Sequence, residues 1–173
     1  MPSSDDQSPV ASSRERDAQG RPLNARPRDG LGRPLPRGEA GIPRVPENLV
    51  LPPDESLVEA QRLIDDGQPF HAHEVLEGTW KAAPEDEREL WQGLAQLAVG
   101  LTHVLRGNTS GAVAVLTRGR DRVKGYADRP PYHIDVNGVI AWSDDLLQQL
   151  GEHANERPGD TTVARLQLTT GTN

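Results

Sequence analysis

The side chains best suited to chemistry in this 173-residue chain fall in two segments that helical spacing places on neighbouring helices. His73 and Glu77 are four residues apart, which puts both on one face of a helix. Gln96 and His103 share a face of a longer and mostly apolar segment. Both faces also carry apolar side chains that a core would bury, and a buried polar group without a partner costs about 1–3 kcal/mol. We therefore expect His73 and Glu77 to face Gln96 and His103.

Three chemistries are compatible with this polar cluster. The favoured one is a hydrogen-bonded lock that fixes the register of the two helices. The second is a divalent metal site, such as a zinc site, with His73, Glu77 and His103 as ligands and Glu74 as the catalytic base. Glu77 stands where the zinc-protease motif has its second His, which weakens that match. The third is metal-free acid–base catalysis by a His/Glu pair.

Other side chains near the cluster have simpler interpretations. His71 falls on the opposite face from His73, so we expect it to contact solvent. Trp91 and Trp142 are expected to cover the edges of the core. Gly93 and Gly100 lie in the long helix, where each glycine costs about 1 kcal/mol relative to alanine. They indicate that a neighbouring helix or the N-terminal tail crosses closely there.

The elements that would position the cluster are all helical. Proline and acidic residues at helix starts and glycine at helix ends predict five helices. The first helix begins near Pro53 and ends before Gly67. The other four cover residues 69–81, 84–106, 110–124 and 144–150. Residues 133–141 read as irregular or briefly extended, and Ser143 is the predicted cap of the last helix. The predicted fold is an all-α five-helix bundle of two antiparallel hairpins and a C-terminal helix.

The chain divides into a tail, a domain and a second tail. Residues 1–50 are rich in Pro, Gly and Arg and contain no aromatic residue, so they form a long irregular tail. Residues 51–153 form the helical domain, and residues 154–173 are expected to be flexible. Within the first tail, residues 17–23 (Asp-Ala-Gln-Gly-Arg-Pro-Leu) recur as residues 29–35 (Asp-Gly-Leu-Gly-Arg-Pro-Leu). This repeat is either a linker of duplicated turns or an extended arm that packs on the domain or on a partner.

Composition narrows the partners and the compartment. The net charge is −7 and no basic face is evident, so nucleic acid is an unexpected partner for the domain. Without cysteine the chain has no disulfides or thiolate metal ligands. The N-terminus lacks the apolar core of a signal peptide, and no segment is apolar enough to span a membrane, so we expect a cytoplasmic protein. A protein partner or a small molecule fits the composition, and monomer and dimer fit equally well.

The two motif segments and their continuation resemble one known family. Residues 69–80 (Pro-Phe-His-Ala-His-Glu-Val-Leu-Glu-x-x-Trp), residues 92–99 and residues 103–112 are similar to the small helical family called domain of unknown function 309. The resemblance covers about residues 54–123 and implies a compact helical bundle. It implies signature positions at His73, Glu74, Glu77, Trp80, Gln92, Gln96, His103, Gly107 and Asn108. That set contains the polar cluster, and it names a place for a site without naming a reaction.

Two functional hypotheses follow. The leading one is a non-enzymatic helical module that serves interaction or small-ligand binding and contains the buried His/Glu/Gln cluster. The alternative is a metal-dependent hydrolase-like enzyme that uses His73, Glu77 and His103. The sequence leaves open whether the protein is an enzyme.

Overall fold

The computed structural model describes residues 27–46, 48–152 and 163–170, and in these ranges the protein is all helical. The five helices are α1 (Pro53–Asp65), α2 (Pro69–Ala82), α3 (Arg88–Leu105), α4 (Thr109–Val123) and α5 (Val136–Glu152). Short 3₁₀ turns lie at Glu85–Glu87, Lys124–Tyr126 and Pro131–His133. The described residues form only isolated β-bridges and no strand. The predicted all-α five-helix fold is confirmed.

The ends of the first four helices follow the local signals in the sequence. Proline occupies the first turn of both α1 and α2, where its missing N–H leaves no hydrogen bond unmade. Gly67 and Gly107 both have positive φ, at 72° and 73°, and each ends a helix in the left-handed conformation that glycine tolerates. Asn108 then caps α4, because its side-chain oxygen accepts from the backbone N–H of Gly111 at 3.0 Å. These turns place each helix beside its predecessor.

Helix α3 is the centre of the bundle and packs most extensively against α4 and α2. A Cβ atom on Gly93 would lie 2.9 Å from the carbonyl oxygen of Gly119, and one on Gly100 would lie 2.5 Å from Leu116. Both contacts belong to α4, so the close helix crossing expected at these two glycines is confirmed. Glycine is needed in α3 because the backbone of α4 passes where side chains would otherwise stand.

The last helix is longer than predicted. The expected irregular segment, residues 133–141, contains the first turns of α5, and Asp135 caps the helix by accepting from the backbone N–H of Gly138 at 2.9 Å. Asn137 and Gly138 thus lie in a first helical turn and form no separate loop. Ser143, the expected cap, is buried within the helix and donates back to the carbonyl of Val139 at 2.7 Å. The prediction for this segment was wrong because a turn-like dipeptide two residues after a capping Asp can also lie in the first turn of a helix.

Trp91 and Trp142 lie in different environments. Trp91 is fully buried and donates its indole N–H to Glu87 at 3.1 Å, so its expected place at the core edge is wrong. In the first turn of α3, Leu90 and Trp91 face the core, whereas Arg88 and Glu89 are exposed. Trp142 is 8% exposed and donates to the carbonyl of Ala164 at 2.8 Å.

That contact belongs to residues 163–170, which fall in the C-terminal segment expected to be flexible. Leu166 and Leu168 are buried in the core. The side chain of Gln61 on α1 holds the backbone on both sides, since it donates to the Leu166 carbonyl at 3.0 Å and accepts from the Leu168 N–H at 2.8 Å. This stretch of the C-terminal segment therefore packs on the bundle.

The N-terminal arm, defined here as residues 27–46, also lies on the bundle. Asp29 closes a tight loop by accepting from the N–H groups of Leu31 and Arg33 at 2.9 and 2.8 Å. Arg28 pairs with Pro34 and with Ile42 through isolated β-bridges. Of the two interpretations of the repeat, the structure places the second copy, residues 29–35, as an arm packed on the domain. The first copy lies outside the described residues.

No helix in the described ranges combines the length and the apolar character needed to cross a membrane.

Candidate functional site

The predicted site residues lie on α2, on α3 and at the start of α4. All except Asn108 are partly buried, so water still reaches them. The residues on α2 are His73, Glu74, Glu77 and Trp80, those on α3 are Gln92, Gln96 and His103, and Asn108 is the cap of α4. A partly hydrated surface at the helix contact replaces the dry interior that the sequence suggested.

His73 and Glu77 meet as their spacing predicts. His73 Nε2 is 3.5 Å from Glu77 Oε2, and His73 Nδ1 is 3.0 Å from the carbonyl oxygen of Phe70. Glu77 Oε1 also accepts from Lys81 Nζ at 2.9 Å. These contacts all lie along α2, so this half of the cluster is satisfied by its own helix.

The polar groups of α3 have other partners. Gln96 Oε1 accepts from Arg122 Nε on α4 at 3.2 Å. His103 Nδ1 lies 3.0 Å from Asn108 Nδ2, at the turn that joins α3 to α4. Partial burial and the neighbouring Arg106 lower the pKa of His103, which favours its neutral form. The hydrogen bonds of α3 therefore link it to α4, whereas the expected partners were His73 and Glu77.

A metal site at His73, Glu77 and His103 would need three ligands around one point. Across residues 27–46, 48–152 and 163–170, no three His, Asp or Glu side chains are grouped as metal ligands would be. The three candidate ligands therefore form no such group in the structure. Glu74, the candidate base, lies 3.4 Å from Arg44 of the N-terminal arm.

The residue that the sequence misplaced is His71. It was expected in solvent on the far side of α2, but its side chain is only 1% exposed, so that prediction is wrong. Burial lowers the pKa of His71, while the nearby charge of Glu74 opposes the shift. The backbone of Gly30 and the charge of Asp29, both in the N-terminal arm, also act on this pKa. His71 is a polar residue, yet it is buried in the structure because the arm lies over it.

The arm reaches α2 and α3 through contacts that involve its backbone. Gly32 has a φ of 72° and is buried against Phe70, where a Cβ atom would stand 2.5 Å from the ring. Arg106, which follows α3, donates to the carbonyl of Leu31 and lies 5.7 Å from the centre of the Phe70 ring. The guanidinium thus joins the arm to an aromatic face by a hydrogen bond and a cation–π contact. We call Phe70, His71, Glu74 and Arg106 the docking face.

Several buried polar atoms at this contact have no hydrogen-bond partner. They are one carboxylate oxygen of Glu74, Nε of Arg28 and both ring nitrogens of His71, whose contact with the Gly30 backbone lies outside hydrogen-bond geometry. Each such atom costs about 1–3 kcal/mol. The arm therefore covers the docking face without satisfying all of its polar groups.

A charged cleft adjoins the docking face. It has a volume of about 300 Å³ and lies between residues 44–46 of the arm and α2. Its charged lining consists of Arg44, Glu74, Glu77 and Lys81. Because Arg44 pairs with Glu74 and Lys81 pairs with Glu77, the charges of this lining balance.

Five helices with a polar motif along α2 and α3 define a small helical-bundle domain. Residues 57–115, from α1 into α4, match the family model described as domain of unknown function (DUF309), which confirms the sequence resemblance. A curated relative is the uncharacterized protein YpuF of Bacillus subtilis (strain 168), 50% identical over 44 residues. These residues are 25% of this chain and 25% of the relative, so the chain spans about a quarter of the relative's length. No solved structure is significantly similar to the chain.

Proposed function

We propose that the protein is a non-enzymatic helical module that binds peptide segments on its docking face. The observation that carries the proposal is the contact of the N-terminal arm with that face. Phe70 receives Gly32, and Arg106 donates to the backbone carbonyl of Leu31. Both contacts engage backbone, as expected for a surface that recognises a segment by its conformation.

The unsatisfied polar atoms favour a binding surface over a permanent seam. His71, Glu74 and Arg28 each keep at least one buried atom without a hydrogen bond. These costs offset part of the stabilisation that Phe70 and Arg106 provide. An arm held by such a balance is displaceable by a segment that satisfies the same groups better.

Deleting the arm tests this proposal directly. Removal of residues 1–47 exposes Phe70 and His71, and we expect a loss of about 2 kcal/mol of stability, or about 4–8 °C in melting temperature for a domain of this size. Binding of a hydrophobic dye should rise in parallel. A synthetic peptide of residues 27–46, added to the deletion variant, should restore much of the melting temperature.

The matched control is a deletion of residues 1–26 alone, which leaves the arm in place and should melt as the full chain does. If the two deletions melt at the same temperature and the peptide has no effect, the arm is not bound to the docking face and the proposal is overturned.

A further inference from the structure

We infer that the docking face recognises the sequence Arg-Asp-x-x-Gly-Arg-Pro-Leu and that this chain carries two copies that compete for it, residues 28–35 and residues 16–23. The first of these is the docked copy, and the second lies outside the described residues. The inference rests on the proposed function and deepens it, because it names the kind of segment that the face binds.

The loop in the docked copy is built by residues that the other copy repeats. Arg28 Nη1 donates to the carbonyl of Gly32 at 2.6 Å, and Asp29 accepts from two backbone N–H groups. Arg16 and Asp17 stand at the corresponding positions. Residues 16–23 therefore have the side chains needed to fold the same loop.

The residue types that contact the docking face in the docked copy also recur in residues 16–23. The left-handed Gly32 allows the loop to lie against the Phe70 ring, and Gly20 offers the same freedom. Leu31 is engaged by Arg106 through its backbone carbonyl, so its replacement by Gln19 keeps that acceptor. The Arg-Pro-Leu that follows is identical.

Two differences explain why residues 28–35 are the docked copy. Ala18 stands where the docked copy has Gly30, and a Cβ atom on Gly30 would lie 3.2 Å from Gln68 and 3.3 Å from the Gly67 carbonyl. That contact is tight and needs a small shift. In the docked arm, Ile42 pairs with Arg28. If residues 16–23 took the place of residues 28–35, the residue corresponding to Ile42 would be Gly30, which has no side chain to pack there. We therefore expect residues 16–23 to fit the docking face and to bind it more weakly than residues 28–35.

The two copies compete within one chain. Residues 16–23 are joined to the docked copy by only a few residues, and such a tether gives an effective concentration on the order of millimolar. When the docked copy is disabled or is taken by a partner, the other copy should occupy the face without a second molecule.

Phe70 gives a direct readout because it is the only phenylalanine in the chain. We would label the full-length protein with fluorinated phenylalanine and record its single fluorine signal. The variants are Gly32→Val, Gly20→Val and the two combined. A valine at position 32 would clash with the Phe70 ring and would hold a φ that valine avoids.

We expect Gly20→Val to leave the signal unchanged. In Gly32→Val the fluorine signal of Phe70 should move to a new chemical shift, because residues 16–23 then occupy the docking face. In the double variant the signal should move further, to the chemical shift found in the protein lacking residues 1–47. If Gly32→Val and the double variant give the same signal, only one copy fits and the inference is wrong while the proposed function stands. If neither variant moves the signal, arm docking itself is overturned. A Gly32→Val spectrum that changes with tenfold dilution would contradict competition within one chain.

Discussion

At the scale of single residues, His73 and Glu77 pair along one face of α2, whereas His71 is buried under the N-terminal arm. Helical spacing tells which side chains share a face, and the 3.5 Å contact between His73 and Glu77 follows from it. It does not tell what covers the opposite face. His71 is buried by a segment about forty residues upstream in the chain, and no helical periodicity encodes that contact.

The pKa of His71 is the first prediction at this scale. Burial holds it below the ordinary value of 6.5 in the docked state, against the opposing charge of Glu74 and with smaller effects of Arg44 and Asp29. Proton titration of the His71 ring by NMR should find this lowered pKa. Gly32→Ala should raise it, because loss of the Phe70 contact releases the arm and lets water reach the ring.

Gly38→Ala is the matched control, since Gly38 also has positive φ, at 95°, but has no atoms near its Cβ position. An equal rise of the pKa in both variants would show that backbone strain, and not the Phe70 contact, controls the burial of His71.

The lowered pKa of His71 also predicts how docking of the N-terminal arm depends on pH. His71 takes up a proton at a higher pH in the undocked chain, where its pKa is about 6.5, than in the docked chain, where the pKa is lowered. Docking therefore weakens as the pH falls from about 6.5 to the lowered pKa, and His71 has no effect on docking above that range. Hydrophobic dye binding by the full chain should therefore rise on acidification, and it should rise less in His71→Phe. A dye response that is equal in the two proteins would contradict a role for His71.

Metal content is the next prediction at the residue scale. Because His73, Glu77 and His103 are not grouped around one point, we expect untagged protein purified under native conditions to contain no stoichiometric Zn, Mn or Fe. The measurement is elemental analysis of wild type, His73→Ala and His103→Ala. Stoichiometric metal that both substitutions remove would establish the hydrolase-like alternative instead.

At the scale of elements, the sequence predicted most helix boundaries because proline, glycine and capping residues act locally. Gly67 and Gly107 both end helices in the expected left-handed conformation. The sequence did not reveal the start of α5 because Asn137-Gly138 has the composition of a turn. The hydrogen bond from the Gly138 N–H to Asp135 is what distinguishes a helix start from a turn here. Residues 163–170 carried a weaker signal, the alternation of Leu166 and Leu168 that fits an extended segment buried on one side.

The packing of α3 on α4 gives a prediction at this scale. Gly100→Ala places a Cβ 2.5 Å from Leu116, and such overpacking should cost about 1–3 kcal/mol despite the better helix propensity of alanine. Gly151→Ala in α5 meets no atoms within 4 Å and should be neutral or stabilising. Urea unfolding of both variants measures the difference. Equal stabilities would mean that the two helices lie further apart than described.

At the scale of the whole molecule, the bundle is held by segments on either side of it in the sequence. The arm covers α2 and the turn after α3, while residues 163–170 cover α1 and α5. Helical spacing in the sequence indicated the domain, and the recurrence of residues 17–23 as residues 29–35 indicated the repeat in the tail. The sequence could not place either segment, because contacts between residues far apart in the chain depend on the complete fold.

The most direct test of the account is the contact between Gly32 and Phe70 in the full-length protein. Because the chain has one phenylalanine, nuclear Overhauser effects from its ring are unambiguous. We predict a strong effect between the Phe70 ring and the α protons of Gly32, together with upfield-shifted Gly32 signals from the ring current. Random-coil shifts for Gly32 and no effect to the Phe70 ring would contradict the docking of the arm and the binding function proposed from it.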